Sequence, residues 1–162
     1  MRTCITTTLD CSKDRVWQEV KTSRLLEYVA APLIVFEPLQ PICFPQVWEE
    51  GRYLITMKLF GWLPFGRQWM VISIPQADEQ VYQIRDNGYG DRIARWDHRI
   101  TIQDAPDGKT SYTDQVDIEA GLITPLVWLF SQVFYRHRQR RWRNLVKHNF
   151  GSLSEHWRLM DE

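Results

Sequence analysis

Apolar residues change their spacing along this chain, and each change marks a change of element. Residues 2–9, rich in threonine, read as a strand. Ser12 is placed to cap a helix carrying Val16, Trp17 and Val20, and a second short helix starts at Ser23, carries Leu25, Leu26, Tyr28 and Val29, and stops before Pro32. From Leu33 the period becomes two. Segments 33–39, 67–74, 80–86, 93–103 and 110–119, with the alternation Tyr53, Ile55, Met57 and Leu59, predict strands. Between them lie the irregular stretch around Pro38, Pro41 and Pro45, a turn at 61–66, the glycine-rich Asn87, Gly88, Tyr89 and Gly90, and the turn Pro106, Asp107 and Gly108. Consecutive hairpins imply an antiparallel sheet with one solvated face.

A helical period returns for the last long element. Thr124 supplies an N-cap hydroxyl, Pro125 suits the first turn, and Gly151 suits a left-handed cap, which predicts one helix of about 40 Å over 124–151. Its stripe Ile123, Leu126, Val127, Phe130, Val133 and Phe134 demands burial, and the same line then turns polar through His137, Arg141, Asn144 and His148. A second line, Trp128, Tyr135 and Trp142, falls on roughly the opposite face and reads as cover for the C-terminal tail or as a dimer contact. The order is therefore strand, two short helices, a meander of strands and one long helix, an α+β arrangement. A twisted sheet and a straight helix cannot close on each other everywhere, so a space remains between them for large side chains or a ligand.

The composition fits one globular domain of 162 residues, expected over 1–150 with a C-terminal tail at 151–162. Twenty basic residues balance twenty acidic ones, so no net field favours nucleic acid or acidic membranes. The arginines of the run 136–143 encircle the helix, which spoils both a groove-tracking stripe and a clean interfacial face; the run reads as a solvated helix end. Three cysteines without ligand spacing, Cys4, Cys11 and Cys43, suit a reducing compartment, and no apolar run suits a signal peptide or a membrane span, so a cytoplasmic location is expected. Neither a zinc motif nor a nucleophile elbow occurs, and no cofactor or metal is expected.

Chemistry concentrates on two strands. Trp96, His98, Ile100 and Ile102 share one face of 94–103, and Tyr112, Asp114, Val116 and Ile118 share the apolar face of 110–119. A hairpin centred on position 106 sets His98 directly opposite Asp114. The pair reads either as a satisfied polar pair that fixes strand register or as a carboxylate-held imidazole, a general base or ligand anchor. His137 and Arg141 reach the same space from the helix to meet a ligand carboxylate or phosphate, or else pair with acids such as Glu49 or Asp86.

Segment 9–20, Trp96 to Arg99, the 108–116 run with Tyr112, Thr113 and Asp114, and 134–142 carry a resemblance to the START, polyketide-cyclase and birch-pollen-allergen superfamily, covering about residues 3–150. The chain looks most like its small single-domain bacterial members. The resemblance implies a helix-grip fold, a curved antiparallel sheet wrapped around the C-terminal helix, with a pocket for an apolar or aromatic small molecule. Trp69, Trp96, Tyr112, Phe130 and Phe134 would line that pocket, with His98 and Asp114 supplying polarity. Arg67 shares a face with Trp69, which leaves the facing of that strand open. The preferred reading is non-catalytic binding of a lipid-like or polyketide-like molecule, without nucleic acid or stable membrane insertion and with a homodimer open. Two others compete: a cyclase or dehydratase in which His98 removes a proton and Arg141 steadies an enolate, and an interaction module acting through Trp128, Tyr135 and Trp142.

Overall fold

Strand β1 (Arg2–Leu9) leads into helices α1 (Lys13–Val20) and α2 (Ser23–Ala30), whose first turns are capped by the Ser12 and Thr22 hydroxyls. Strands β2 (Ile34–Gln40), β3 (Gly51–Leu59), β4 (Leu63–Ser73), β5 (Val81–Gly90), β6 (Arg95–Ala105) and β7 (Lys109–Glu119) follow, and helix α3 (Thr124–Lys147) closes the fold. The computed structural model describes residues 1–75, 80–151 and 153. All seven strands form one antiparallel sheet in the order β1-β7-β6-β5-β4-β3-β2. The first strand thus lies beside the last, and α1 and α2 cross between the two edges.

Helix α3 packs chiefly on β1, β7 and α2. The far half of the curved sheet, β3 to β5, therefore faces open space, which is what makes a cavity. The face that α3 buries takes in only part of the stripe expected. Leu126 and Val133 are more than half exposed, whereas Val127, Ser131, Phe134, Tyr135, Arg138, Trp142 and Leu145 are buried. Tyr135 and Trp142, read from the sequence as a surface seam, lie in the core. This second line still carries the large rings of Tyr135 and Trp142 where the first has turned to His137 and Arg141, so burying it encloses more apolar area even though Arg138 and Gln139 go in with it.

Other local expectations shift as well. Asn87 to Gly90 belong to strand β5 rather than to a turn, because β4 approaches too closely for side chains. A Cβ on Gly90 would lie 2.3 Å from the Arg67 carbonyl oxygen, and one on Gly88 would lie 2.7 Å from that of Trp69. Strand β4 begins at Leu63, earlier than expected, since the chain reverses at Phe60 and Gly61, both at positive φ. Thr124 sits inside α3, and its hydroxyl accepts the Ala120 N–H and donates to the Gly121 carbonyl, holding the preceding 3-10 turn. At the other end Asn149 and Phe150, not Gly151, take the left-handed backbone. Of the expected tail, Leu153 is buried in the core, and residues 152 and 154–162 lie outside the described residues. Among the described residues no helix is long and apolar enough to cross a membrane.

Candidate ligand-binding cavity

A cavity of about 290 Å³ lies between α3 and the concave face of the sheet. Its wall is mostly aliphatic and aromatic, with Ile55, Met57, Met70 and Ile100 from the strands facing Phe130 and Phe134 from the helix. Polar side chains on the wall are Gln68, Asp86, His98 and Arg138, with the phenol of Tyr135 beside them. A small apolar space with a few convergent polar groups is the common form of a small-molecule site.

His98 belongs to a buried polar cluster between β6, β7 and α3. Its Nε2 lies 2.9 Å from Asp114 Oδ1, the Tyr112 hydroxyl donates to the same oxygen at 3.2 Å, and Gln139 Nε2 donates to Asp114 Oδ2 at 3.2 Å. Arg138 Nε stands 3.4 Å from Asp114 Oδ1, and its Nη2 donates to the Tyr112 hydroxyl at 3.2 Å. Burial alone would raise the Asp114 carboxyl, but the Arg138 charge and the His98 and Gln139 hydrogen bonds hold it below its ordinary value. Burial lowers the His98 imidazole despite its carboxylate partner. A neutral ring facing an ionised carboxylate donates its Nε2–H, which leaves the lone pair on Nδ1.

The pairing of His98 and Asp114 differs in register from the expected one. The hairpin centres on Asp107, which takes the left-handed conformation, so His98 stands opposite Val116 and Asp114 opposite Ile100. The two residues are diagonal neighbours on one face, still within reach of each other. Of the other sequence-derived residues, Trp96, Phe130 and Phe134 lie on the cavity wall. Trp69 is on the other face of β4, where the Arg52 guanidinium covers its ring at 5.0 Å, because its neighbours Gln68 and Met70 take the inward positions. Tyr112 lies behind the wall against Trp142, ring centroids 5.4 Å apart. His137 Nε2 meets the Ala31 carbonyl oxygen at 2.8 Å, and Arg141 stacks 4.0 Å above the Tyr28 ring. The helical cation at the cavity is Arg138.

Residues 7–146 match the model of a family described as a domain of unknown function, DUF8410. The chain belongs to that family. No curated protein matches the sequence. Among solved structures, a START superfamily protein from Mycobacterium smegmatis is 15% identical with a TM-score of 0.63, over 91% of this chain and 97% of the other. A protein from Thermus thermophilus is 12% identical with a TM-score of 0.63, over 92% and 99%. The Zhui aromatase/cyclase of a Streptomyces species is 12% identical with a TM-score of 0.54, over 95% and 93%. At these identities the likeness concerns the fold, which is the START-like helix-grip fold.

Three polar groups at the cavity of this DUF8410 protein are not apparent from sequence patterning. Arg138 lay hidden in the basic run, which is not a uniformly solvated helix end: Arg138 and its neighbour Gln139 are buried. The available signal was their place on the longer stripe between Phe134 and Trp142. Gln68 gave no signal beyond its alternation with Trp69. Asp86 is the direct cross-strand partner of His98, and its Oδ1 accepts the Val71 backbone N–H at 2.8 Å where β4–β5 pairing is interrupted.

Burial pushes the Asp86 carboxyl up to about 7, against the Val71 hydrogen bond. The folded protein therefore retains a proton that the unfolded chain releases near 3.8, so between those values Asp86 makes stability fall as pH rises. His98 acts with the opposite sign: its lowered value costs stability as pH falls below 6.5. Asp86→Asn keeps an oxygen for Val71 and removes the charge. Its stability relative to the parent, measured by urea unfolding, is expected to be about 2–3 kcal/mol more favourable at pH 8 than at pH 5. A difference that does not change with pH would remove Asp86 as the titrating group.

Proposed function

We propose that this protein binds a hydrophobic or aromatic small molecule between the sheet and α3. The observation that supports the reading is the cavity itself, apolar over most of its wall and polar at Gln68, Asp86, His98 and Arg138. A lipid-like or polyketide-like molecule with one polar end suits that distribution. Native mass spectrometry of freshly purified protein, before and after organic extraction, is expected to reveal a bound apolar species or an emptied protein whose tryptophan emission is quenched on titration with 2-naphthol. Ile100→Trp, which fills the wall from a buried position, is expected to weaken 2-naphthol binding at least about tenfold while unfolding remains cooperative. An empty protein that binds no 2-naphthol, or binding indifferent to Ile100→Trp, would overturn the reading.

The His98–Asp114 contact supports a second reading, a cyclase- or dehydratase-type enzyme with His98 as general base. A neutral imidazole held through Nε2 has a free lone pair for proton abstraction, and Asp114 would steady the charged ring that follows. Arg138, not Arg141, is the cation placed to steady an enolate. With a substrate in hand, turnover that survives His98→Gln would sink this reading. The interaction module is not carried forward, because Tyr135 and Trp142 are inside the core.

A further inference from the structure

An exposed apolar surface surrounds the cavity mouth. Leu122, Leu126, Leu129 and Val133 recur at intervals of four and three along the outer face of α3 and the turn before it, and each is more than half exposed. The β3–β4 reversal adds Phe60 and Trp62, the latter 73% exposed, and the Phe60 ring meets Phe130 edge-on at 6.5 Å, joining the two elements into one surface. Leu126 is both 68% exposed and part of the cavity wall, which places the mouth within this surface. Isolated exposed apolar residues are ordinary, but six on two adjoining elements are not.

Charge indicates what covers them. Segments 59–66 and 120–135 contain no charged residue, and α3 contains no aspartate or glutamate. The same outer line of α3 continues from Val133 into Arg136 and Arg140, both exposed and neither in an ion pair among the described residues. Val133 to Arg140 spans about 10 Å along the axis, comparable to the depth at which an interfacial helix face sits below lipid headgroups. We propose that the end of the molecule formed by the Phe60–Trp62 reversal and the first half of α3 docks reversibly on an anionic lipid bilayer, with Arg136 and Arg140 at the headgroups. A second copy of the chain would present the same cations and no acid from α3 or from 59–66, so these elements would complement each other through the apolar half alone. Anionic lipid complements both. The whole helix does not need to be a clean amphipath for this, since its inner face is occupied by the core and the outer line alone meets the lipid.

Flotation of the full chain with phosphatidylcholine vesicles, with and without about 30 mol% phosphatidylglycerol, tests the proposal. Binding is expected to require the anionic lipid and to weaken with added salt. The Trp62→Glu/Leu129→Glu pair, on exposed sites away from the cavity wall, is expected to reduce binding at least about tenfold without changing urea unfolding, and Arg136→Gln/Arg140→Gln to reduce it about threefold to tenfold. No flotation, equal flotation on pure phosphatidylcholine, or flotation indifferent to Trp62→Glu/Leu129→Glu would overturn it. So would a dimer, seen by sedimentation, that this pair dissociates, since the patch would then cover a second copy. Because 2-naphthol binding reads the cavity and flotation reads the outer surface, either result stands if the other fails.

Discussion

Asp114→Ala is expected to destabilise the fold by about 3–5 kcal/mol at pH 7, read by urea unfolding. The carboxylate is fully enclosed and gathers His98, Tyr112, Gln139 and Arg138 around its two oxygens. Removing it leaves a guanidinium, itself 4% exposed, without its counter-charge in the core. The loss measured is thus mostly the cost of an uncompensated buried cation, not the net worth of the pair. That distinction can be tested: Asp114→Leu/Arg138→Met removes both charges and is expected to unfold closer to the parent than Asp114→Ala does. If the double variant is as weak as the single one, the stranded charge is not the source. The native cluster also weakens in acid. The lowered Asp114 value means its contribution is present above the ordinary carboxylate range and is lost as pH falls through the folded value.

Trp142→Ala is expected to cost a further large amount, about 3–5 kcal/mol, through the cavity left by the largest fully buried side chain among the described residues. The indole packs tilted on Tyr112 and edge-on to Phe150, with ring centroids 6.4 Å apart in the second case, so its loss loosens both the back of the polar cluster and the end of α3. Trp142→Phe retains most of the contact and is expected to cost less than half as much. A residue on a surface seam would behave differently, with changes within about 0.5 kcal/mol. Urea unfolding of Trp142→Ala near the parent value would therefore return this ring to the surface.

These two residues show how the site depends on which side of α3 faces inward. The first half of the helix offers one broad apolar stripe, from Ile123 to Phe134, and a second line through Trp128 and Tyr135, and local spacing does not fix how far the helix turns from the first toward the second. Burial of the second line carries Arg138 and Gln139 into the core to meet Asp114, and leaves Leu126, Leu129 and Val133 outside around the cavity mouth. The candidate site and the proposed lipid-facing surface follow from one rotation of the helix.

Periodicity alone determined the succession of strand, two short helices, strand meander and long helix, because side-chain spacing and turn residues act through near neighbours in the chain. It also put His98 and Asp114 on one face, since alternation along a strand does not depend on the partner strand. Tertiary structure decided the one-position shift of the β6–β7 hairpin through the conformation of Asp107, the close β4–β5 approach that turns Gly88 and Gly90 into strand residues, and the face of α3 that is buried. Each of these depends on what lies across the sheet or beneath the helix. Such contacts join residues far apart in sequence, and only the packed fold brings them together.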